Sequence, residues 1–443
     1  MKRAVPTLPR SLSRVWPQIA LMLLAALGLS MPQQARSQAG AVQTVASIAP
    51  ALVLASAGSQ LSPEARLVEI YRLVGTGRLG EAREAARLLA QDHPNFQLAQ
   101  LVYGDLLLAQ AQALNGLGNA PELLMSTGVG AQALAELRHE SDMRLAALRE
   151  RPPAGAIPTQ FLALAPNVRH AIAVDASRAR LYLFENQALP NEGARLRLIA
   201  DYYVSVGKYG IEKTVEGDAR TPLGVYFTLH RLNKRALPNF YGAGALPINY
   251  PNILDRRRGK TGSGIWLHGT PPNQFSRAPL ATNGCVVLSD PDLEHVLRTV
   301  APSTTPVVIA SRLEWAQPPQ LQAERQSFEA VLTAWRQAKT SGDLQQMLRF
   351  YAEDFTGFRG RTLREWELVL RVELARDAGR AIALQNLSYL RWTDEDDTMI
   401  VTFEETAAPG QDARPGAPKA QLKRQYWSRQ GEEWKIIFEG SLG

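Results

Sequence analysis

The sequence predicts a multidomain chain: an N-terminal α-helical segment, a β-rich central domain and a smaller C-terminal α+β domain. Three observations carry this. The apolar period is near 3.6 residues from Ser62 to about Glu150 and becomes 2 from about Pro166. Proline pairs at Pro152-Pro153 and Pro318-Pro319 mark the two changes of pattern. After the second pair, helical periodicity precedes a run of alternating segments, the order expected of an α+β module. A length of 443 residues suits two or three domains.

Residues 1–37 read as a secretory signal. Lys2, Arg3, Arg10 and Arg14 precede an apolar run of 11 residues, Ile19 to Leu29, with small residues after it at Ala35-Arg36-Ser37. That run is short for a membrane span, so the remainder is expected to be exported. Residues 38–60, rich in Ala, Ser and Gln, read as a flexible lead. Residues 61–150 read as helical. Ser62-Pro63-Glu64 supplies a cap, a proline in the first turn and an acid for the macrodipole. Leu67, Ile70, Tyr71 and Val74 then share a face, and the glycines from Gly75 to Gly80 break the helix. A second helix runs from Glu81 to Ala90, and a third begins near Phe96 and runs past Leu108. With Gly80, Ala82, Ala86 and Pro94 so placed, the pair resembles a tetratricopeptide unit. Little more than one repeat is present, so a plain helical hairpin packed on the next domain fits equally well.

Residues 166–315 read as β-rich. His170–Asp175, Arg180–Glu185, Leu196–Val206, Val225–Arg231, Gly264–His268 and Thr305–Ala310 are the expected strands, with a helix opening at Asp290-Pro291-Asp292. Asn233–Lys260 is expected to be a long functional loop. Residues 316–326 read as a linker. In residues 327–443, an amphipathic helix at Phe328–Trp335 and a short helix through Leu348 and Tyr351 precede strands at Leu387–Trp392, Thr398–Glu404, Leu422–Arg429 and Glu433–Glu439.

Formal charge is +7, but Lys2, Arg3, Arg10, Arg14 and Arg36 account for five of the 49 basic residues, leaving 44 against 42 acids. The central domain keeps an excess, with 18 basic and 12 acidic residues between Pro166 and Trp315, which suits a carboxylate-bearing substrate. No basic run is interleaved with aromatics, so nucleic acid is not a suggested partner. A single cysteine excludes an internal disulfide and a multi-cysteine metal site. His170, His230 and His295 have no metal-ligand spacing, and no cofactor is expected.

That cysteine, Cys285, lies 17 positions after His268, and both sit in glycine-bearing turns at the ends of apolar runs. A lone cysteine is more often a small buried hydrophobe, and a strand-end histidine a satisfied polar residue. Yet a thiol and a distant imidazole are also the raw material of a nucleophile and its base. On this reading His268 pairs with the thiolate and lowers the thiol pKa, and Gly269 offers a carbonyl to orient the imidazole. The N–H groups of Gly284 and Cys285 face the developing oxyanion. Arg220, Thr282 and Asn283 are the candidates for substrate binding, Arg220 as a bidentate partner for a carboxylate or as a loop brace.

His268-Gly269-Thr270, Thr282-Asn283-Gly284-Cys285 and Asp218-Ala219-Arg220-Thr221-Pro222-Leu223-Gly224, in that spacing, resemble the YkuD-type L,D-transpeptidase catalytic domain over roughly Asn167–Ser311. The resemblance implies a β-rich fold whose cysteine attacks the carbonyl before a terminal D-residue of a peptidoglycan stem peptide. A thioester forms, and an amine of a second stem resolves it. Two positions depart from the family pattern: Asn283 replaces a histidine, and Val287 replaces a polar residue. Hydrolysis through the same thioester, or a wall-binding scaffold without catalysis, are the alternatives. Phe328–Gly443, through Trp335, Tyr351, Asp354, Phe355, Tyr426, Trp427 and Trp434, resembles the NTF2-like cone of Cds6 type, whose pocket would have Asp354 or Glu405 as candidate carboxylates, though a structural or surface role is the commoner one for such residues. Peptidoglycan stems, with envelope proteins at the helical and NTF2-like segments, are the partners so implied, in the periplasm of a Gram-negative envelope.

Overall fold

The computed structural model describes residues 61–113, 116–118, 128–188, 193–377, 380–394, 396–407 and 420–442. The expected signal and flexible lead lie outside the described residues.

The helical segment comprises α1 (Pro63–Gly75), α2 (Leu79–Asp92), α3 (Gln97–Leu108) and α4 (Gly128–Arg149). Ser62 caps α1 by accepting the Ala65 N–H, with Pro63 in the first turn, as its residue types dictate. Leu67, Ile70, Ala82, Ala86, Leu89, Phe96 and Val102 form a core of their own. One residue of the next domain, Phe275, enters that core and stacks on Phe96 at 4.2 Å.

The central domain begins with β1 (Ile157–Pro158) and β2 (Phe161–Ala163), then β3 (His170–Asp175), β4 (Arg180–Asn186), β5 (Leu196–Tyr203), β6 (Val206–Gly207) and β7 (Gly224–Phe227). Then come β8 (Leu232–Asn233), β9 (Gly244–Pro247), α5 (Ile253–Arg257), β10 (Trp266–His268), β11 (Leu280–Thr282), β12 (Val286–Val287), α6 (Asp290–Thr299), β13 (Pro306–Ala310) and β14 (Trp315–Ala316). One sheet runs β5-β4-β3-β13-β7 and a second runs β12-β10-β9-β8. The stretch from Asn233 to Lys260 is therefore not a bare loop. Its apolar residues at Ala245–Pro247 extend the second sheet, and Asn252 and Asp255 close a capping box on α5.

The C-terminal domain packs α7 (Gln322–Ser341), α8 (Leu344–Leu348) and α9 (Leu363–Asp377) on the sheet made by β15 (Tyr351–Gly357), β16 (Ile382–Trp392), β17 (Thr398–Ala407), β18 (Gln421–Gln430) and β19 (Glu433–Ser441). Tyr351 opens a strand rather than ending a helix, and α7 begins inside the expected linker. A sixth strand comes from elsewhere: β2 pairs antiparallel with β16, setting Ala163 opposite Tyr389. The central and C-terminal domains also share one continuous apolar core. They are joined too by ions. Arg257 pairs with Asp354, and Arg258 with Asp396 at 2.9 Å, so these arginines bind the neighbouring domain. Asp354 is thus an interface residue and not a pocket carboxylate. Glu405 is buried between Lys339 and Lys423, at 2.8 and 2.9 Å.

The helical segment is tied to the central domain by Glu64, which accepts from Arg144 at 2.6 Å and from Arg180 at 2.7 Å, while Arg180 also pairs with Asp201. Burial opposes the Glu64 charge, but the two guanidinium groups prevail and hold its pKa down at about 2. A depressed carboxyl pKa stabilises the fold above the ordinary carboxylate range and loses that effect as pH falls toward 2. Arg180→Met should leave this carboxylate with Arg144 alone and lower the unfolding free energy by about 1–3 kcal/mol in urea titrations. A change below about 0.5 kcal/mol would show that the pair does not hold the segment.

Candidate active site

One parallel pairing brings the strand that ends in His268 alongside the strand that follows Cys285. Leu267 lies opposite Val286 and His268 opposite Val287, so β10 and β12 run side by side. Leu267 and Val286 are fully buried, and their side chains face the core. Alternation along each strand then puts Trp266, His268 and Cys285 on the opposite face. With strands spaced about 4.8 Å and a rise of about 3.3 Å per residue, the Cα atoms of Cys285 and His268 are roughly 8 Å apart.

The imidazole is 2% exposed, and its Nδ1 is 2.7 Å from the carbonyl oxygen of Gly269. A carbonyl accepts only, so this contact puts the proton on Nδ1 and leaves the Nε2 lone pair available. Burial pushes the His268 pKa down to about 4, with the Gly269 contact opposing. The thiol is partly exposed and donates to the Gly264 carbonyl at 3.4 Å. Burial raises its pKa, while the Trp266 N–H and the charges of Arg277 and Lys213 oppose. Desolvation disfavours the charged form of each group, so burial favours a neutral thiol and a neutral imidazole over the expected thiolate–imidazolium pair.

The turn before the sulfur is built for glycine. Gly284 has φ +118, and a Cβ there would lie 2.6 Å from the Arg220 carbonyl oxygen. The fully buried Thr221 hydroxyl donates to Gly284 O at 2.9 Å and accepts the Gly207 N–H at 2.9 Å. Thr282 closes the other side: its hydroxyl accepts the Gly284 N–H at 3.0 Å and donates to Cys285 O at 2.8 Å. Two expectations change. The Gly284 N–H is consumed within the turn and is not an oxyanion donor, and Thr282 is a brace rather than a substrate contact. Among the described residues no acceptor takes the Cys285 N–H.

Arg220 also turns inward, donating from Nη1 to Ile211 O at 2.9 Å, so it braces its loop. Asn283 is exposed beside the sulfur. Gly269 and Gly242 both face the Asp290 carboxylate, which accepts the N–H groups of Ala243 at 2.9 Å and Thr270 at 3.1 Å. This acid at the start of α6 clamps the histidine turn to the aromatic loop. That loop sets Tyr241 5.0 Å and Phe240 5.8 Å from the His268 ring, centroid to centroid, and Tyr241 also lies 4.9 Å from Trp266. Sequence reasoning passed over Thr221, Asp290 and Arg277. Thr221 stood inside a quoted motif and Asp290 stood only as a helix start; Arg277 has no local signature. Among the described residues no group of His, Cys, Asp and Glu could hold a metal ion.

Gly284→Ala should slow alkylation of Cys285 by iodoacetamide at least tenfold, since a Cβ clash with fixed backbone must displace the turn. Unaltered alkylation would mean the turn relaxes freely. In the native protein the alkylation rate should climb only above neutral pH, following the raised thiol pKa, with no plateau between pH 5 and 8. Such a plateau would reveal a thiolate–imidazolium pair.

Residues 169–309 match the model of the L,D-transpeptidase catalytic domain, YkuD, and residues 327–440 match the Cds6 C-terminal NTF2-like domain. Among solved structures the chain is similar to Bd1075 of Bdellovibrio bacteriovorus, with 26% identity and a TM-score of 0.53 over 65% of this chain and 98% of that one. It is also similar to the helical cell shape determining protein Pgp2 from Campylobacter jejuni, with 19% identity and a TM-score of 0.49 over 69% and 99% of the two chains. No curated protein matches it. The chain therefore carries a YkuD-type L,D-transpeptidase catalytic domain followed by an NTF2-like domain of the Cds6 kind.

Proposed function

We propose that the protein is an exported cysteine acyltransferase that acts on peptidoglycan stem peptides in the periplasm. The observation that carries the reading is the pairing of β10 with β12, which sets a neutral, correctly tautomerised His268 on the same face as Cys285. Substrate entry breaks the weak Sγ–H···O bond to Gly264. His268 Nε2 takes the thiol proton as sulfur bonds to the carbonyl carbon before the terminal D-residue. The oxyanion forms beside the Cys285 N–H. Collapse breaks the C–N bond, and the departing amine takes the proton back from His268, leaving a thioester. An amine of a second stem gives a proton to His268, attacks the thioester carbon and expels the sulfur, which recovers that proton.

Burial keeps the imidazole unprotonated near neutral pH, so its Nε2 is free to accept the thiol proton. One observation favours a second outcome. Asn283 is exposed, so the acceptor side is open to water, and water in place of the amine would hydrolyse the same thioester.

Incubation with purified muropeptides tests the reading through product masses. Crosslinked dimers or exchanged D-residues are expected, with Cys285→Ala inactive and His268→Gln slowed roughly 10²–10⁴-fold. Shortened stems alone would replace transfer by hydrolysis. No product from folded protein would leave a wall-binding scaffold as the reading.

A further inference from the structure

Arg277 lies on the segment that joins the two catalytic turns, and the mechanism above does not use it. The side chain is half-buried and its Nε is buried without a hydrogen-bond partner. Among the described residues no carboxylate pairs with its guanidinium. Its contact is the face of Phe240, with Cζ 4.6 Å from the ring centroid. Phe240 in turn lies 5.8 Å from the His268 ring, and the guanidinium charge favours ionisation of the Cys285 thiol against the burial that opposes it. A partly desolvated cation with unused donors therefore stands beside the sulfur.

Its backbone is fixed from both sides. Tyr203 donates to Arg277 O at 2.8 Å, and Ser205 donates to Ala278 O at 2.5 Å. Two residues earlier, Phe275 is anchored in the helical core, and Ser276 donates to Glu140 on α4 at 2.7 Å. The helical segment thus holds the loop that presents the guanidinium. The two also enclose a groove of about 590 Å³, with Glu136 and Leu137 of α4 on one wall and Phe240, Arg277 and Ala281 on the other.

An arginine fork that is held in place, partly desolvated and unpaired matches a carboxylate in charge and in geometry. We propose that Arg277 is the receptor for a carboxylate of the substrate peptide, held next to the bond that Cys285 attacks, with α4 forming the outer wall of the same groove. The identity of that peptide rests on the acyl-enzyme reading above; anion recognition beside the sulfur does not.

Two measurements separate these. Cys285 is alkylated with iodoacetate and, in parallel, with neutral iodoacetamide. Arg277→Gln should lower the ratio of the iodoacetate rate to the iodoacetamide rate roughly tenfold or more, a comparison that cancels any change in thiol ionisation common to both reagents, with Arg277→Lys between the two. An unchanged ratio of the two rates in both variants overturns the proposal. On the unaltered protein, a stem peptide with a free C-terminal carboxylate should protect Cys285 from iodoacetamide at roughly tenfold lower concentration than its carboxamide. Equal protection by the two overturns the carboxylate contact. Protection by neither contradicts the stem-peptide reading, and the reagent ratio still decides Arg277.

Discussion

The site depends on one buried hydroxyl. Thr221 has no exposed surface, and its Oγ1 donates to the Gly284 carbonyl while accepting the Gly207 N–H. Three chain segments far apart in sequence meet at that atom. The Arg220 carbonyl, one residue away, fills the space a side chain at 284 would need. With Thr282 locking the turn from the other side, Cys285 enters β12 with its backbone direction already set. The sulfur then faces the strand that delivers His268 without any contact between the two side chains having to organise it.

Desolvation explains both the chemistry and its restraint. The same burial keeps the imidazole unprotonated and the thiol protonated. On the proposed mechanism a neutral pair stores no thiolate at rest, and charge separates only when an electrophile arrives. Asp290 serves this arrangement from a distance by holding the histidine turn against the aromatic loop through two backbone N–H groups. The flanking domains contribute in the same way. The helical segment grips the loop between the two turns through Phe275 and Ser276, and the C-terminal domain shares its core with the catalytic sheet.

Much of the fold is legible in the sequence because its signals are local. The cap at Ser62-Pro63, the alternation in His170–Asp175 and Arg180–Asn186, and the glycine before Cys285 each follow from neighbouring residues alone. What escapes such reasoning depends on pairs distant along the chain. β2 leaves the domain beside it to complete a sheet more than 200 residues later. Arg257 and Arg258 look like a solvated charge run until Asp354 and Asp396 are seen opposite them. The Gly284 N–H looks free as an oxyanion donor until the Thr282 rotamer claims it. Arg277 carries no motif at all; only its unpaired, half-buried setting singles it out.

The central claim is that Cys285 is a nucleophile set up to be acylated, and intact-protein mass spectrometry tests it most directly. Incubation with a carbapenem or a muropeptide followed by acid quenching should give one covalent adduct per chain, mapped by peptide digestion to Cys285. A folded protein that stays unmodified under those conditions, or an adduct on any other residue, would contradict the account.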